Sequence, residues 1–288
     1  GGISEAIVML AVFTFASLKL IPQFQQIFFS FAELKGFSAS FERVKKDLTN
    51  TKYDQKIESP SLSNININLK NTKKLELKNI LLYYPNSSSS SLEVPSLQIP
   101  LKSKIAIAGE SGSGKTTLIN ILTGIIKTEK GKIFLDQYEL KNDNFQKFQK
   151  NIGMVPQNIF LFDDTILNNI SLKQKNELVD LNRIEKILEI CDLTFFVKSL
   201  PDGLNTEIGE KGVNLSGGQQ QKLGIARCIY SNKDLFIFDE ATNSMDAISE
   251  NKIINNIMEY DSNKTIILIS HNYSTFKNFD YIIFFENG

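Results

Sequence analysis

Apolar and polar positions divide the chain into three regimes. From Ala6 to Leu18 no charged residue interrupts the run Ala-Ile-Val-Met-Leu-Ala-Val-Phe-Thr-Phe-Ala-Ser-Leu. As a helix, this segment spans roughly 20 Å, short of the ~30 Å hydrocarbon core of a bilayer. Three readings are open: a buried core helix, the last part of a membrane-spanning helix, or a cleaved secretory signal. A signal calls for positive charge before the run and small residues after it. Here Glu5 precedes and Lys19-Leu20-Ile21-Pro22 follows. After Pro22 the pattern changes. Phe24, Ile27, Phe28, Phe31, Leu34, Phe37, Phe41, Val44 and Leu48 recur at spacings of mostly three and four, which predicts one apolar stripe on a long helix. Arg43, Lys45, Lys46 and Asp47 lie mostly off that stripe. On the membrane reading, the helix continues out of the bilayer, and the basic residues near its exit fit a cytoplasmic side.

The polar stretch from Thr49 to Lys74, rich in Asn, Ser and Lys and holding Pro60, reads as a linker. Beyond it, strand-like and helix-like segments alternate to the end. Leu75–Tyr84 predicts a strand, Asn86 and the five serines 87–91 a flexible turn, and Leu92–Ile99 a second strand. Three short apolar runs then read as buried strands: Ile105–Ala108, Asp234–Phe238 and Thr265–Ser270. No internal repeat is present.

Composition narrows this picture. The 288 residues allow two domains, and 42% hydrophobic residues suffice for a packed core. Lys plus Arg and Asp plus Glu are both 32, a formal net charge of zero, which argues against a nucleic-acid coat. The two cysteines, Cys191 and Cys228, form no metal-type pair and no disulfide framework, and fit a reducing compartment. The chain opens on Gly1-Gly2 and stops at Phe285-Glu286-Asn287-Gly288, which suggests a piece of a longer protein.

The first chemical motif follows the strand Ile105–Ala108. Gly109-Glu110-Ser111-Gly112-Ser113-Gly114-Lys115-Thr116-Thr117 leads into the helical Leu118–Leu122. This is a phosphate loop in its strand–loop–helix setting. Glycines let the loop wrap closely, so that backbone N–H groups point at phosphate oxygens. The helix N-terminus adds partial positive charge, Lys115 reaches the β- and γ-phosphates, and the Thr116 hydroxyl can ligate Mg²⁺. The chain is expected to bind a nucleoside triphosphate.

The second motif is the strand ending in Asp239-Glu240. The aspartate suits Mg²⁺ coordination, and the glutamate can activate water as a general base. His271, the single histidine, follows a third apolar strand and so belongs on the same sheet edge, where ligands of open α/β sheets bind. There it would contact the γ-phosphate.

With Leu215-Ser216-Gly217-Gly218-Gln219 the pattern resembles the nucleotide-binding domain of an ATP-binding cassette transporter over residues 75–288. The resemblance implies an α/β fold of phosphate-loop NTPase type: a parallel-sheet core, an antiparallel β subdomain and an α-helical subdomain carrying the signature. Tyr84 matches the aromatic that stacks on adenine. Gln157, in Met154-Val155-Pro156-Gln157, matches the loop glutamine that senses Mg²⁺ and water and touches the membrane domain. Asp246 matches the aspartate of the loop crossing the dimer interface. Carried over, Gly109–Thr117 bind ATP, Thr116, Gln157 and Asp239 hold Mg²⁺, and Glu240, His271 and Gln157 carry the hydrolysis. Leu215–Gln219 contact ATP held by the partner subunit.

The run Thr206–Gly212 resembles the exporter branch of that family, so residues 1–50 are expected to be the end of a transmembrane domain, 51–74 a linker and 75–288 the ATPase domain. The implied molecule is a half-transporter in a bacterial inner membrane with a cytoplasmic ATPase domain. It pairs head to tail with a second copy or a related half-transporter, contacts the lipid bilayer and binds no nucleic acid. Leu20-Ile21-Pro22-Gln23-Phe24 resembles exporters that flip lipid-linked oligosaccharides, with Lys19 where Arg is expected. The alternative is a soluble or separate-subunit ATPase of the same superfamily, acting in import or on DNA or ribosomes. Gln220-Gln221-Lys222 and Asn243-Ser244-Met245 depart from the family pattern and are expected to tune the interface without removing a catalytic group.

Overall fold

The computed structural model describes residues 2–54, 69–84, 92–128, 130–172, 178–209 and 215–286. The serine turn at 87–91, most of the expected linker and residues 210–212 of the exporter-like run lie outside these. The chain divides into two units, one up to Ser63 and one from Asn64 on.

The described residues of the first unit form a single helix, α1 (Gly2–Asp54), which runs through Pro22. A proline removes one backbone donor and crowds the preceding turn, so Pro22 marks where a bend is easiest. At roughly 1.5 Å per residue α1 rises about 80 Å, more than twice a bilayer core. Its segment Glu5–Thr49 is long and apolar enough to cross a membrane, and its side chains stay open, Phe13 by 77% and Phe28 by 72%. The helix also extends to Asp54, into the stretch expected as linker. At the edge of that stretch the Thr49 hydroxyl donates back to the carbonyls of Lys45 and Lys46, at 2.9 Å each, as a threonine within a helix commonly does.

The second unit holds two sheets. Strands β1 (Lys74–Leu82), β2 (Leu92–Pro100), β4 (Lys130–Leu135) and β5 (Tyr138–Glu139) form an antiparallel sheet in the order β2-β1-β4-β5. Strands β3 (Lys104–Gly109), β6 (Ile152–Val155), β7 (Leu235–Asp239), β8 (Thr265–Ile269) and β9 (Tyr281–Phe285) form a parallel sheet in the order β6-β7-β8-β3-β9. The helices are α2 (Lys115–Leu122), α3 (Asn142–Gln149), α4 (Ile166–Ser171), α5 (Leu181–Ile190), α6 (Thr194–Ser199), α7 (Gly217–Tyr230) and α8 (Ala247–Tyr260).

The apolar runs of β3, β7 and β8 are explained by burial on both faces, as parallel strands require. Successive side chains alternate between two cores. Ala106, Ala108, Phe236, Phe238, Ile266 and Leu268 pack with residues of α4 through α8. Ile105, Ile107, Leu235, Ile237, Ile267 and Ile269 pack with α2, Phe148 of α3 and the antiparallel sheet. The expected parallel core, β subdomain and helical subdomain are therefore all present. Their layering aims the C-terminal ends of β6, β7, β8 and β3 at one edge.

Behind that edge, Asp192, just past α5, ties two helices together. Its carboxylate accepts from Lys222 of α7 at 2.8 Å and from Lys252 of α8 at 2.6 Å. These two hydrogen bonds hold its carboxyl below the ordinary aspartate range. The resulting stability is present above the unfolded-state pKa and is lost as pH falls through the depressed folded value. Asp192 sits at φ 53°, which asparagine also tolerates, so D192N removes the charge and spares the backbone. D192N is expected to cost about 1 kcal/mol at pH 7. In urea unfolding the gap should close as pH falls below about 4. A gap that is the same in acid as at neutral pH would rule out this charge linkage.

Candidate active site

The phosphate loop joins β3 to α2, and its glycines are required by geometry. Gly109, at φ 146°, would place a Cβ 2.5 Å from the Phe285 carbonyl oxygen, and Gly114, at φ 96°, caps α2 in a left-handed conformation. Lys115 is 5% exposed, and its Nζ donates to the carbonyls of Gly109 at 2.9 Å and Glu110 at 2.6 Å, folding back over the loop. Among the described residues, the buried Ser113 Oγ finds no hydrogen-bond partner. A buried hydroxyl without a partner costs free energy unless a ligand satisfies it, and an oxygen-rich phosphate would do so. Glu110, Ser111, Gly112 and Ser113 line a cleft of about 470 Å³ with Tyr273 and Phe284. Tyr84 reaches the start of α2, its hydroxyl 3.2 Å from Thr117 Oγ1.

Thr116 Oγ1 donates to Asp239 Oδ1 at 3.3 Å, bringing two of the three expected Mg²⁺ ligands together. Asp239 is 2% exposed. Burial pushes its carboxyl above the ordinary range, against the pull of the Thr116 hydrogen bond; the Glu240 charge adds to the rise and Lys115 opposes it. A buried, under-compensated carboxylate beside a hydroxyl oxygen fits a divalent cation, which would supply the missing positive charge.

Glu240 follows β7 at φ 50°, and its backbone N–H donates to Ile269 O at 3.0 Å, tying the end of β7 to β8. Three side chains converge on its carboxylate. Gln157 Nε2 donates to Oε2 at 2.8 Å, Asn243 Nδ2 donates to the same oxygen at 2.7 Å, and His271 Nε2 lies 3.0 Å from Oε1. The ionised carboxylate has no proton to give, so the imidazole is the donor in that last contact. Gln157, Glu240 and His271, expected from three separate segments, thus meet at the ends of three adjacent strands. His271 faces Glu240 here, a contact that the expected γ-phosphate role did not include.

The signature segment has a different setting. Ser216 caps α7, accepting from Gln219 N at 3.2 Å, while Gln219 Oε1 accepts from Ser216 N at 2.9 Å. This reciprocal capping box leaves Leu215 to Gln219 as a fixed helix start. Gly217 and Gly218 lie against Ser244: a Cβ on Gly217 would stand 3.2 Å from Ser244 Cβ. Asp246 caps α8, accepting from Ile248 N at 3.1 Å and Ser249 N at 2.9 Å.

The two departures from the family pattern acquire roles inside the chain. Asn243 holds the Glu240 carboxylate, and Gln221 Oε1 accepts from Ser244 N at 2.8 Å, fastening α7 to the segment before α8. Sequence reading missed both contacts, and it missed Glu250, a buried carboxylate on α8. Asparagine and glutamine in loops carry no pattern that points to a partner. Glu250 reads as an ordinary acidic first-turn residue until the packing is known.

Comparison with known proteins shows the family. The ABC transporter family profile matches residues 92–243. The ATP-dependent lipid A-core flippase of Photorhabdus laumondii is 37% identical over 214 residues, covering 74% of this chain and 37% of its own length. The enzyme of the same name from Wigglesworthia glossinidia brevipalpis is 38% identical over 214 residues, with the same coverage. The chain therefore spans little more than a third of these relatives. Among solved structures, a bacterial Atm1-family ABC exporter with ATP bound superimposes with a TM-score of 0.72 at 26% identity, over 86% of this chain and 44% of that one. The chain accordingly belongs to the ABC transporter family and carries its ATP-hydrolysing domain, which works on ATP with Mg²⁺.

Proposed function

We propose that this chain is the motor of an exporter-type half-transporter that uses ATP hydrolysis to move a lipid, or a lipid-linked saccharide, across a membrane or between its leaflets. The convergence of Gln157, His271 and Asn243 on Glu240, beside the Thr116–Asp239 pair, supports the hydrolytic part most strongly. The relatives named as lipid A-core flippases support the lipid class, and α1, with a segment able to cross a membrane, supports an integral membrane protein with a cytoplasmic ATPase domain. On this reading the first fifty residues end a transmembrane domain, the next stretch links, and residues from about 75 onward form the ATPase.

Tyr84 stacks on the adenine, and the amides of Gly109 through Thr117 with Lys115 bind the phosphates. Thr116, Asp239 and Gln157 hold Mg²⁺, which when bound neutralises developing phosphate charge. Glu240 takes a proton from the attacking water, and His271 and Gln157 orient that carboxylate. The rate gain comes from positioning and preorganised charge, as in other phosphoryl transfers. Leu215, Ser216, Gly217, Gly218 and Gln219 close on the ATP of a second copy or related subunit, with Asp246 in the loop between them. The capping box holds that surface ready without using a residue of the phosphate loop.

The test is lipid movement by the full-length protein in proteoliposomes, followed with a fluorescent lipid. ATP is expected to drive movement in the wild type and not in K115A. Recovery of the full-length protein in the soluble fraction, or no ATP-dependent lipid movement, would favour the separate ATPase instead.

A further inference from the structure

The loops bearing Glu240 and His271 leave neighbouring strands, and one buried carboxylate joins them. Glu250 lies in the first turn of α8, 5% exposed. Its Oε1 accepts from Thr242 Oγ1 at 2.6 Å and from Ser270 Oγ at 2.9 Å, and its Oε2 accepts from Asn272 Nδ2 at 2.8 Å. Thr242 lies two positions after Glu240, whereas Ser270 and Asn272 stand on either side of His271. Ser270 Oγ also accepts from Asn272 N at 3.0 Å, so its single proton is directed at Glu250. Asn272 is held in turn: its Oδ1 accepts from Ser274 N at 3.2 Å and Ser274 Oγ at 2.7 Å.

We propose that Glu250 is a positioning residue for ATP hydrolysis. It clamps the loop of the base to the loop of the histidine, and so sets the 3.0 Å contact between His271 Nε2 and Glu240 Oε1. A buried carboxylate is costly unless donors satisfy it, and among the described residues the hydrogen bonds to its oxygens come from these two loops. An acid serving α8 alone would need only that helix's free N–H groups, a role Asp246 already fills. Displacements of about 1 Å in a hydrolytic site cost up to roughly a hundredfold in rate, so a clamp at this place acts on turnover. The inference rests on Glu240 as base and His271 as its neighbour.

The experiment measures kcat and KM for Mg-ATP in the full-length protein. E250Q keeps the shape and one acceptor oxygen for the two hydroxyls, but turns an amide N–H₂ toward that of Asn272. In E250Q/N272D the new carboxylate accepts from Gln at 250 and still accepts from Ser274 N, so the clamp is restored with its polarity reversed. E250Q is expected to lower kcat about tenfold with KM within about twofold of wild type. The double variant should recover most of that loss. In an H271A background, E250Q should cost less than about twofold, because the residue it positions is gone.

A kcat for E250Q within about twofold of wild type, or an undiminished loss in the H271A background, would overturn the proposal. So would a reversed clamp that restores thermal stability without restoring kcat. If E250Q does not fold, S270A decides the matter, since it removes one donor and leaves the carboxylate partnered: lowered kcat at constant KM supports the clamp, and unchanged kcat rejects it. E240Q in the same assay separates the two readings. If E240Q turns over normally, the assignment of the base fails; if E240Q stalls while E250Q is normal, the clamp alone fails.

Discussion

Replacing Glu240 by glutamine is expected to lower the turnover number by roughly 10²–10⁴-fold, the range associated with a positioned general base. The substitution keeps the size of a side chain fixed by three neighbours. Gln157 and Asn243 can still donate to the one remaining oxygen, and the new amide is accommodated by His271 once the imidazole takes the tautomer in which Nε2 accepts, so the loop can keep its place. What is lost is the ability to accept a proton from water. Binding should persist, because the groups proposed to meet the phosphates, Lys115 and Thr116, open α2 and lie outside that cluster. Turnover is measured by phosphate release at saturating Mg-ATP and binding by titration. A turnover number within tenfold of wild type would remove Glu240 from the role of base.

Lys115→Ala is expected to act on the earlier step. Lys115 is almost fully buried, and among the described residues its ammonium donates to the carbonyls of Gly109 and Glu110. Those are the contacts that phosphate oxygens can replace, and a charge-assisted hydrogen bond contributes about 1.5–3 kcal/mol. The dissociation constant for ATP should therefore rise roughly ten- to a hundredfold. The two carbonyls, left without their donor, would also loosen the loop before ATP arrives. Isothermal titration with ATP checks this, and an unchanged dissociation constant would contradict the assignment. The two variants thus separate binding from chemistry: one should hold ATP without cleaving it, the other should not hold it.

How much of this was legible in the residues depends on the range of the interactions involved. The strands β3, β7 and β8 were readable because burial on both faces demands continuous apolar runs, and the phosphate loop because its glycines answer a local backbone requirement. Their shared edge followed from the placement of Gly109, Asp239 and His271 directly after such runs. The capping of α7 by Ser216 was also within reach, since Ser-x-x-Gln is a local signal. The end of α1 was not. Its last turns carry polar residues that composition assigns to a linker, yet the helix runs through them to Asp54. Long-range pairings were hidden altogether. Asn243 on Glu240, Gln221 on Ser244 and Glu250 on three loop residues each depend on where separate strands and helices end in space. No spacing along the chain encodes them.

On the proposed reading, Lys115 and its loop capture ATP, while Glu240 makes the attack on it possible. The most direct measurement is the identity of the nucleotide retained by the full-length E240Q protein after incubation with Mg-ATP, rapid removal of free nucleotide and acid quench. Intact ATP is expected on E240Q, where the wild type retains ADP or nothing. Recovery of ADP from E240Q at the wild-type rate would contradict it.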